Sequence, residues 1–186
     1  MRALLLALCL VAAAEGETLK AGVFDPPRAA PDFALRGSNG KELRLATYKG
    51  KVVILAFGFT SCPEVCPTTL ATLAETRKKL GAQAADTQIV YVTVDPERDD
   101  AARMSKYLAG FDETFVGGTG SEAQLAAVRA DYGITASKKP SADGSYSVAH
   151  SSYTYLIDRA GTLRALMPYG QSADDYAHDV RILLAR

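Results

Sequence analysis

Cys62 and Cys66 stand four residues apart in the stretch Gly58-Phe59-Thr60-Ser61-Cys62-Pro63-Glu64-Val65-Cys66-Pro67. On a helical turn, positions i and i+4 lie one above the other, with Cα atoms on the order of 6 Å apart. That distance is within the reach of a disulfide, and it also lets two thiolates face one metal ion. A bridge closing so small a loop constrains the unfolded chain little. The pair therefore reads as a redox or metal device rather than a structural staple. Free cysteines are often buried spectators, but these follow directly on Val52-Val53-Ile54-Leu55-Ala56-Phe57, a run that predicts a fully buried central strand. A cysteine at the junction of strand and helix meets unpaired N–H groups and the positive end of the helix dipole, which favour a thiolate. Pro63 suits a first helical position. Pro67 predicts an irregular turn or kink, with regular helix from Thr68 to Leu80.

Soft sulfur ligands select Cu(I), zinc or iron–sulfur chemistry. Closed zinc sites use four protein ligands, and Cys62, Cys66, His150 and His178 could supply them. His178, however, lies in Asp174-Asp175-Tyr176-Ala177-His178-Asp179 and reads as surface. Iron–sulfur clusters commonly use four cysteines, more than the chain offers. Copper is compatible with three donors. His150, in Val148-Ala149-His150-Ser151-Ser152, is the third candidate, although a lone histidine is ordinarily a hydrogen-bonded core or surface residue.

The elements that must position these residues follow from pattern. Residues 30–35 and 41–45 predict a hairpin around Gly37-Ser38-Asn39-Gly40, with Asn-Gly favouring a tight turn. After the central strand come a helix over 68–80 with Gly81 at its end, a buried strand over 89–94 and a helix over 99–108 stopped by Gly110. A short strand over 114–116 and a helix from Ser121-Glu122 to Tyr132 before Gly133 follow. Residues 146–158 form one strand-like segment, 162–167 pair back across a turn at 159–161, and 173–184 close the chain as a helix. Alternating strands and helices imply an α/β fold with a largely parallel sheet covered on both faces, to which the closing hairpin adds antiparallel strands. A cysteine pair after the first buried strand gives the layout of a thioredoxin-like domain: a central mixed sheet flanked by helices, with an N-terminal hairpin and a helix-containing insertion over 99–132.

Composition bounds the rest. The chain has 186 residues, with 21 basic and 21 acidic side chains. It carries no basic field to attract nucleic acid. Its length suits one core. Met1-Arg2, the apolar run from Ala3 and the small residues Ala12-Ala13-Ala14 predict an export signal over 1–14, too short to span a bilayer. Leu8 before Cys9 makes lipid attachment there unfavourable. Cleavage after Ala14 removes Arg2 and Cys9, leaving two cysteines and one more acidic than basic residue. Residues 15–29, with Pro26-Pro27, read as a flexible tether and 30–186 as the domain.

Three ordered stretches resemble the Sco/SenC family of copper chaperones: residues 58–70 around the cysteine pair, Val92-Thr93-Val94-Asp95-Pro96-Glu97-Arg98-Asp99, and His150 followed by Tyr155-Leu156-Ile157-Asp158. Tyr48-Lys49-Gly50-Lys51-Val52-Val53 is similar too, and the resemblance runs from about Pro31 to the C-terminus. A lone C-x-x-x-C would be weak; three motifs in family-like order are specific. The resemblance implies a thioredoxin-like fold binding one copper, as Cu(I) or Cu(II), through Cys62, Cys66 and His150. It also implies a role in assembling the binuclear copper site of cytochrome c oxidase, by delivering copper, by reducing that site's cysteines, or both. The partners implied are the oxidase's copper-bearing subunit and another periplasmic copper carrier or thiol reductant. A monomer is expected, exported to the periplasm or held at the outer face of the inner membrane. Many relatives carry a longer membrane anchor, whereas this N-terminus looks cleavable. Asp95 matches an acidic family position and reads either as support or partner contact for the site or as a turn residue before Pro96.

Two other readings use the same cysteines. A general thiol–disulfide oxidoreductase would attack with Cys62 and resolve with Cys66, with no need of His150; its usual spacing has two intervening residues. A thiol peroxidase would need an arginine beside a reactive cysteine.

Overall fold

The structure is a computed structural model that describes residues 18–142 and 144–186. The export signal, Cys9 and the first residues of the tether lie outside the described residues. The centre of the fold is β4 (Val52–Gly58), buried at every position. It pairs in parallel with β5 (Thr87–Thr93) along its whole length. Val, Ile and Phe are abundant here because both faces of these strands are covered, so no polar alternation is needed.

From β5 the sheet continues in parallel to β6 (Val116–Thr119), then antiparallel to β2 (Ala34–Gly37) and β3 (Glu42–Arg44). On the other side β4 pairs antiparallel with β9 (Thr154–Ile157), followed by β10 (Thr162–Met167) and β1 (Gly22–Ala29). The order is β1-β10-β9-β4-β5-β6-β2-β3. The sheet is therefore mixed, as the α/β reading expects, but only the β4–β5 and β5–β6 pairings are parallel, fewer than the alternation of elements suggests. Parallel pairing needs a long crossover, supplied here by α1 (Val65–Leu80) between β4 and β5 and by α2 (Ala101–Ala109) between β5 and β6, whereas the short links β2–β3 and β9–β10 make antiparallel pairs. The helices α3 (Glu122–Tyr132) and α4 (Ala173–Leu184) complete the cover. Helix α2 packs on β6 where Gly117 leaves no room for a side chain; a Cβ there would meet Met104 at 2.8 Å and Leu108 at 3.0 Å.

Three expectations are corrected. Residues 22–29 are not a tether: β1 joins the sheet edge, with its pairing irregular between Val23 and Arg28. An edge strand tolerates Pro26 and Pro27 at such an irregularity because their missing N–H groups are not needed. The start of the chain's described part is also tied down, since the Lys20 and Ala21 N–H groups donate to fully buried Asp179, both at 2.9 Å. Helix α1 begins at Val65, so Cys62 and Pro63 precede it and Pro67 lies in its first turn. Pro67 lacks an N–H that a first turn leaves unpaired anyway, so it breaks nothing. Lastly, residues 146–158 are two strands, not one. β8 (Tyr146–His150) leaves the main sheet and pairs antiparallel with β7 (Ala136–Pro140). The segment 151–153 then turns the chain into β9.

Helix ends follow sequence chemistry closely. Ser121 caps α3 in a reciprocal box with Gln124, and Gly133 closes it at φ 67°. Ser172 and Asp175 do the same at the start of α4. Each box satisfies N–H groups the helix cannot.

Candidate metal centre

The C-terminal end of β4, the loop over 59–64 and the first turn of α1 form one wall of the site. Cys66 in that first turn is buried, and Cys62 in the loop is half-buried. The Cys66 N–H donates to Cys62 Sγ at 3.4 Å, so the sulfur satisfies one of the helix's unpaired donors. Both cysteines are free thiols.

The other wall is the β7–β8 hairpin, which carries His150 at its end. His150 Nε2 lies 3.7 Å from Cys66 Sγ. Its Nδ1 is 2.7 Å from the Ser151 carbonyl. A carbonyl can only accept, so Nδ1 bears the proton and Nε2 presents a lone pair to the sulfur. Phe59 meets the imidazole edge-on, with ring centres 5.8 Å apart. Burial pushes the Cys66 thiol up to about 12, although Tyr91 pulls in the opposite direction. Burial lowers His150, partly offset by its bond to Ser151. At neutral pH the pair is therefore a thiol beside a neutral imidazole, with the thiol proton directed at Nε2.

Such a pair has the donor set and spacing of a soft-metal site. An N and an S donor at about 2.05 and 2.3 Å from a trigonal or tetrahedral ion stand roughly 3.6–3.8 Å apart. Cys66 and His150 already hold that separation. The third donor is not drawn in: among the described residues no group of three His, Cys, Asp or Glu side chains forms a metal-holding cluster. Cys62 instead shares a cleft of about 440 Å³ with His150, Phe59, Arg98 and Tyr146. His178 lies on α4 with Nδ1 2.9 Å from Asp179, outside this group.

The hairpin is held by a buried carboxylate. Asp95 is 0% exposed. It pairs with Arg98 and accepts from the Tyr146 hydroxyl at 2.8 Å. Arg98 Nη1 donates to the Tyr146 carbonyl at 3.2 Å, and the guanidinium stacks on the Tyr146 ring at 4.0 Å. Glu97 pairs with Lys138 of β7 at 2.5 Å. Asp95 thus clasps β8, and through it His150, to the core, and its side chain does not reach the surface.

Sequence reasoning missed three residues here. Asp99 reads as a helix start, yet it is fully buried. It accepts from the Thr60 N–H at 2.9 Å, the Thr60 hydroxyl at 2.5 Å and the Thr93 hydroxyl at 2.7 Å, which fixes the approach to Cys62. Arg103 adds bonds to Thr60 Oγ1 at 2.6 Å and Ser61 Oγ at 3.0 Å. Tyr91, in the apolar run of β5, reads as core, but its hydroxyl is beside Cys66. Neither Asp99 nor Tyr91 carried a local signal: Asp99 stands between Arg98 and Asp100, and nothing in the sequence separates Tyr91 from a packing tyrosine.

Comparison with known proteins gives the same residues a family context. A family model described as SCO1/SenC matches residues 24–185. The chain is 36% identical over 132 residues to an SCO2-like protein of Rickettsia felis; the match spans 70% of this chain and 64% of that relative, less than two thirds of its length. The structure of Bradyrhizobium japonicum ScoI with copper bound has a TM-score of 0.78 at 35% identity, covering 84% of this chain and 99% of that one. That match confirms the thioredoxin-like architecture. BsSco, described with a disulfide switch and as a member of the Sco family of cytochrome c oxidase assembly proteins, has a TM-score of 0.69 at 26% identity, covering 86% of this chain and 95% of that one.

Proposed function

The chain belongs to the SCO1/SenC family, and from that premise we propose that it is a copper chaperone binding one copper ion through Cys62, Cys66 and His150. The observation that carries this reading is the preformed Cys66–His150 pair, 3.7 Å apart with the Nε2 lone pair turned toward the sulfur. Copper takes the place of the thiol proton between them, and Cys62 closes from the adjoining cleft as the third donor. The two sulfurs and one imidazole suit Cu(I), and the open side of the cleft admits a further donor for Cu(II) or an incoming ligand exchanging the metal. The reading extends to transfer to the copper-bearing subunit of cytochrome c oxidase, with copper supplied by another periplasmic carrier; the naming of BsSco's family for cytochrome c oxidase assembly supports it. The protein works as an exported monomer, in the periplasm or at the outer face of the inner membrane. No described helix is long and apolar enough to cross a membrane.

One observation favours a reductive role for the same pair. Cys62 is half-buried while Cys66 is buried, the order needed for an attacking and a resolving thiol. The Cys62 thiolate would attack a partner disulfide, and Cys66 would release the partner's second thiol. The balance is one disulfide formed in this chain and two thiols restored in the partner.

An anaerobic Cu(I) titration of the reduced protein against a competing chelator tests the reading. One tightly bound copper is expected, weakened at least about tenfold (~1.4 kcal/mol) in His150→Ala and lost when Cys62 and Cys66 are oxidised to a disulfide. Tight binding that survives oxidation or ignores His150 would refute the three-donor site. No tight copper with a readily cycled disulfide would move the assignment to the reductase.

A further inference from the structure

Strand β5 buries one hydroxyl for which the copper reading has no use. Tyr91 is 1% exposed, and its Oη makes no hydrogen bond of ordinary geometry. Leaving a buried hydroxyl unpaired is unfavourable, and phenylalanine would fill the same space without that cost. Tyr107 does not relieve it: the two rings are 6.5 Å apart, and the Tyr107 hydroxyl is itself buried and unpaired.

What Tyr91 does face is Cys66. A Cβ on Gly58 would lie 2.1 Å from Tyr91 Oη and 2.8 Å from Cys66 Sγ. The hydroxyl and the sulfur therefore converge over the bare backbone of β4, and glycine at 58 is what leaves them room. Tyr91, Cys66 and His150 also line one void of about 10 Å³, roughly the room that a single water needs. His150 and Tyr91 thus both address the Cys66 sulfur, the first with a lone pair and the second with an O–H.

We propose that Tyr91 is a positioning residue of the copper site, its hydroxyl donating to Cys66 Sγ. The inference rests on the copper reading above. A neutral thiol is a poor acceptor, so the bond is weak in the metal-free protein. Once the proton leaves and the sulfur becomes a copper-bound thiolate, the same hydroxyl makes a charge-assisted bond. It orients the sulfur by one lone pair and leaves another for the metal. The donor is thus worth more to the loaded state than to the empty one, and the unpaired hydroxyl of the metal-free protein is the cost of that difference.

Tyr91→Phe removes the donor and keeps the ring. Cu(I) affinity should fall on the order of ten- to a hundredfold, the range of a hydrogen bond to a charged group. In the Cu(II)-loaded protein the sulfur-to-copper charge-transfer band should move to lower energy, because a thiolate without its donor gives up an electron more readily. The thermal midpoint of the metal-free protein should stay level or rise, which a merely structural role would not produce. A copper-free arm judges the contact separately: with Cys62→Ser isolating Cys66, Hg(II) loads that sulfur as a thiolate, and adding Tyr91→Phe should move the sulfur-to-mercury charge-transfer band to lower energy. Unchanged Cu(I) affinity and an unmoved copper charge-transfer band in Tyr91→Phe would overturn the inference, as would a mercury band indifferent to the substitution. A wild-type protein that takes no copper would instead overturn the copper reading, while the mercury band would still decide whether hydroxyl and thiolate interact.

Discussion

Asp95→Ala isolates how His150 is held. The substitution leaves the Arg98 guanidinium and the Tyr146 hydroxyl without their shared acceptor. Hydrogen bonds to a charged group contribute about 1.5–3 kcal/mol each, and the Arg98 term is discounted because that side chain is 28% exposed. The expected loss is about 2–4 kcal/mol. For a domain of this size that lowers the melting midpoint by roughly 5–15 °C. The remaining clasp of β8, the Arg98 bond to the Tyr146 carbonyl and the Glu97–Lys138 pair, keeps the hairpin docked part of the time. If docking falls to between about a third and a tenth, apparent copper affinity falls by the inverse factor, about three- to tenfold. The decisive assay is a double-mutant cycle in Cu(I) affinity with His150→Ala. Because Asp95 acts only by placing His150, the double variant should bind as His150→Ala alone does. Multiplicative losses in the double variant, or full stability of Asp95→Ala, would refute the clasp.

Gly58→Ala places a methyl 2.1 Å from Tyr91 Oη and 2.8 Å from both Tyr91 Cζ and Cys66 Sγ. Overpacking of this kind costs about 1–3 kcal/mol, so urea unfolding should show that loss together with weakened Cu(I) binding, and an unperturbed variant would refute the convergence at Gly58. Copper binding should release the Cys66 proton at any pH below about 12, so Cu(I) affinity should rise about tenfold per pH unit for that proton alone, as read by chelator competition across pH. Stability of the metal-free reduced protein should also depend on pH at both ends. His150 is lowered by burial from 6.5, so its contribution is present above that value and lost as pH falls below it. Cys66 is raised from 9.0 to about 12, so its contribution is full below pH 9 and lost as pH climbs toward 12. Urea midpoints against pH should flatten at the acid limb in His150→Ala and at the alkaline limb in Cys66→Ala.

Much of this was legible before any coordinates. The buried run at 52–57 had to be a central strand because its residues alternate in neither polarity nor size. Ser121 with Gln124 and Gly133 bracket α3 by local hydrogen bonding and a left-handed turn. The spacing of Cys62 and Cys66 and their place after β4 are local facts too, fixed by a few residues of chain. Other features lack a local signature. β1 carries two prolines and pairs with β10, a partner far along the chain; β7 is Ala-Ser-Lys-Lys-Pro, an exposed strand without apolar alternation that pairs with the neighbouring β8. The loop that precedes α1 is pinned at Thr60 by Asp99, a contact across 39 residues.

The sequence by itself determined which groups could bind a soft metal, since ligand chemistry belongs to side-chain type and short spacing. Only the tertiary structure decided that His150, 84 residues from Cys66, aims Nε2 at its sulfur, that Asp95 holds the hairpin rather than meeting solvent, and that the Tyr91 hydroxyl faces the same sulfur over Gly58. Those are long-range contacts made by sheet order and helix packing, and no local pattern encodes which distant residues a fold will bring within hydrogen-bond distance.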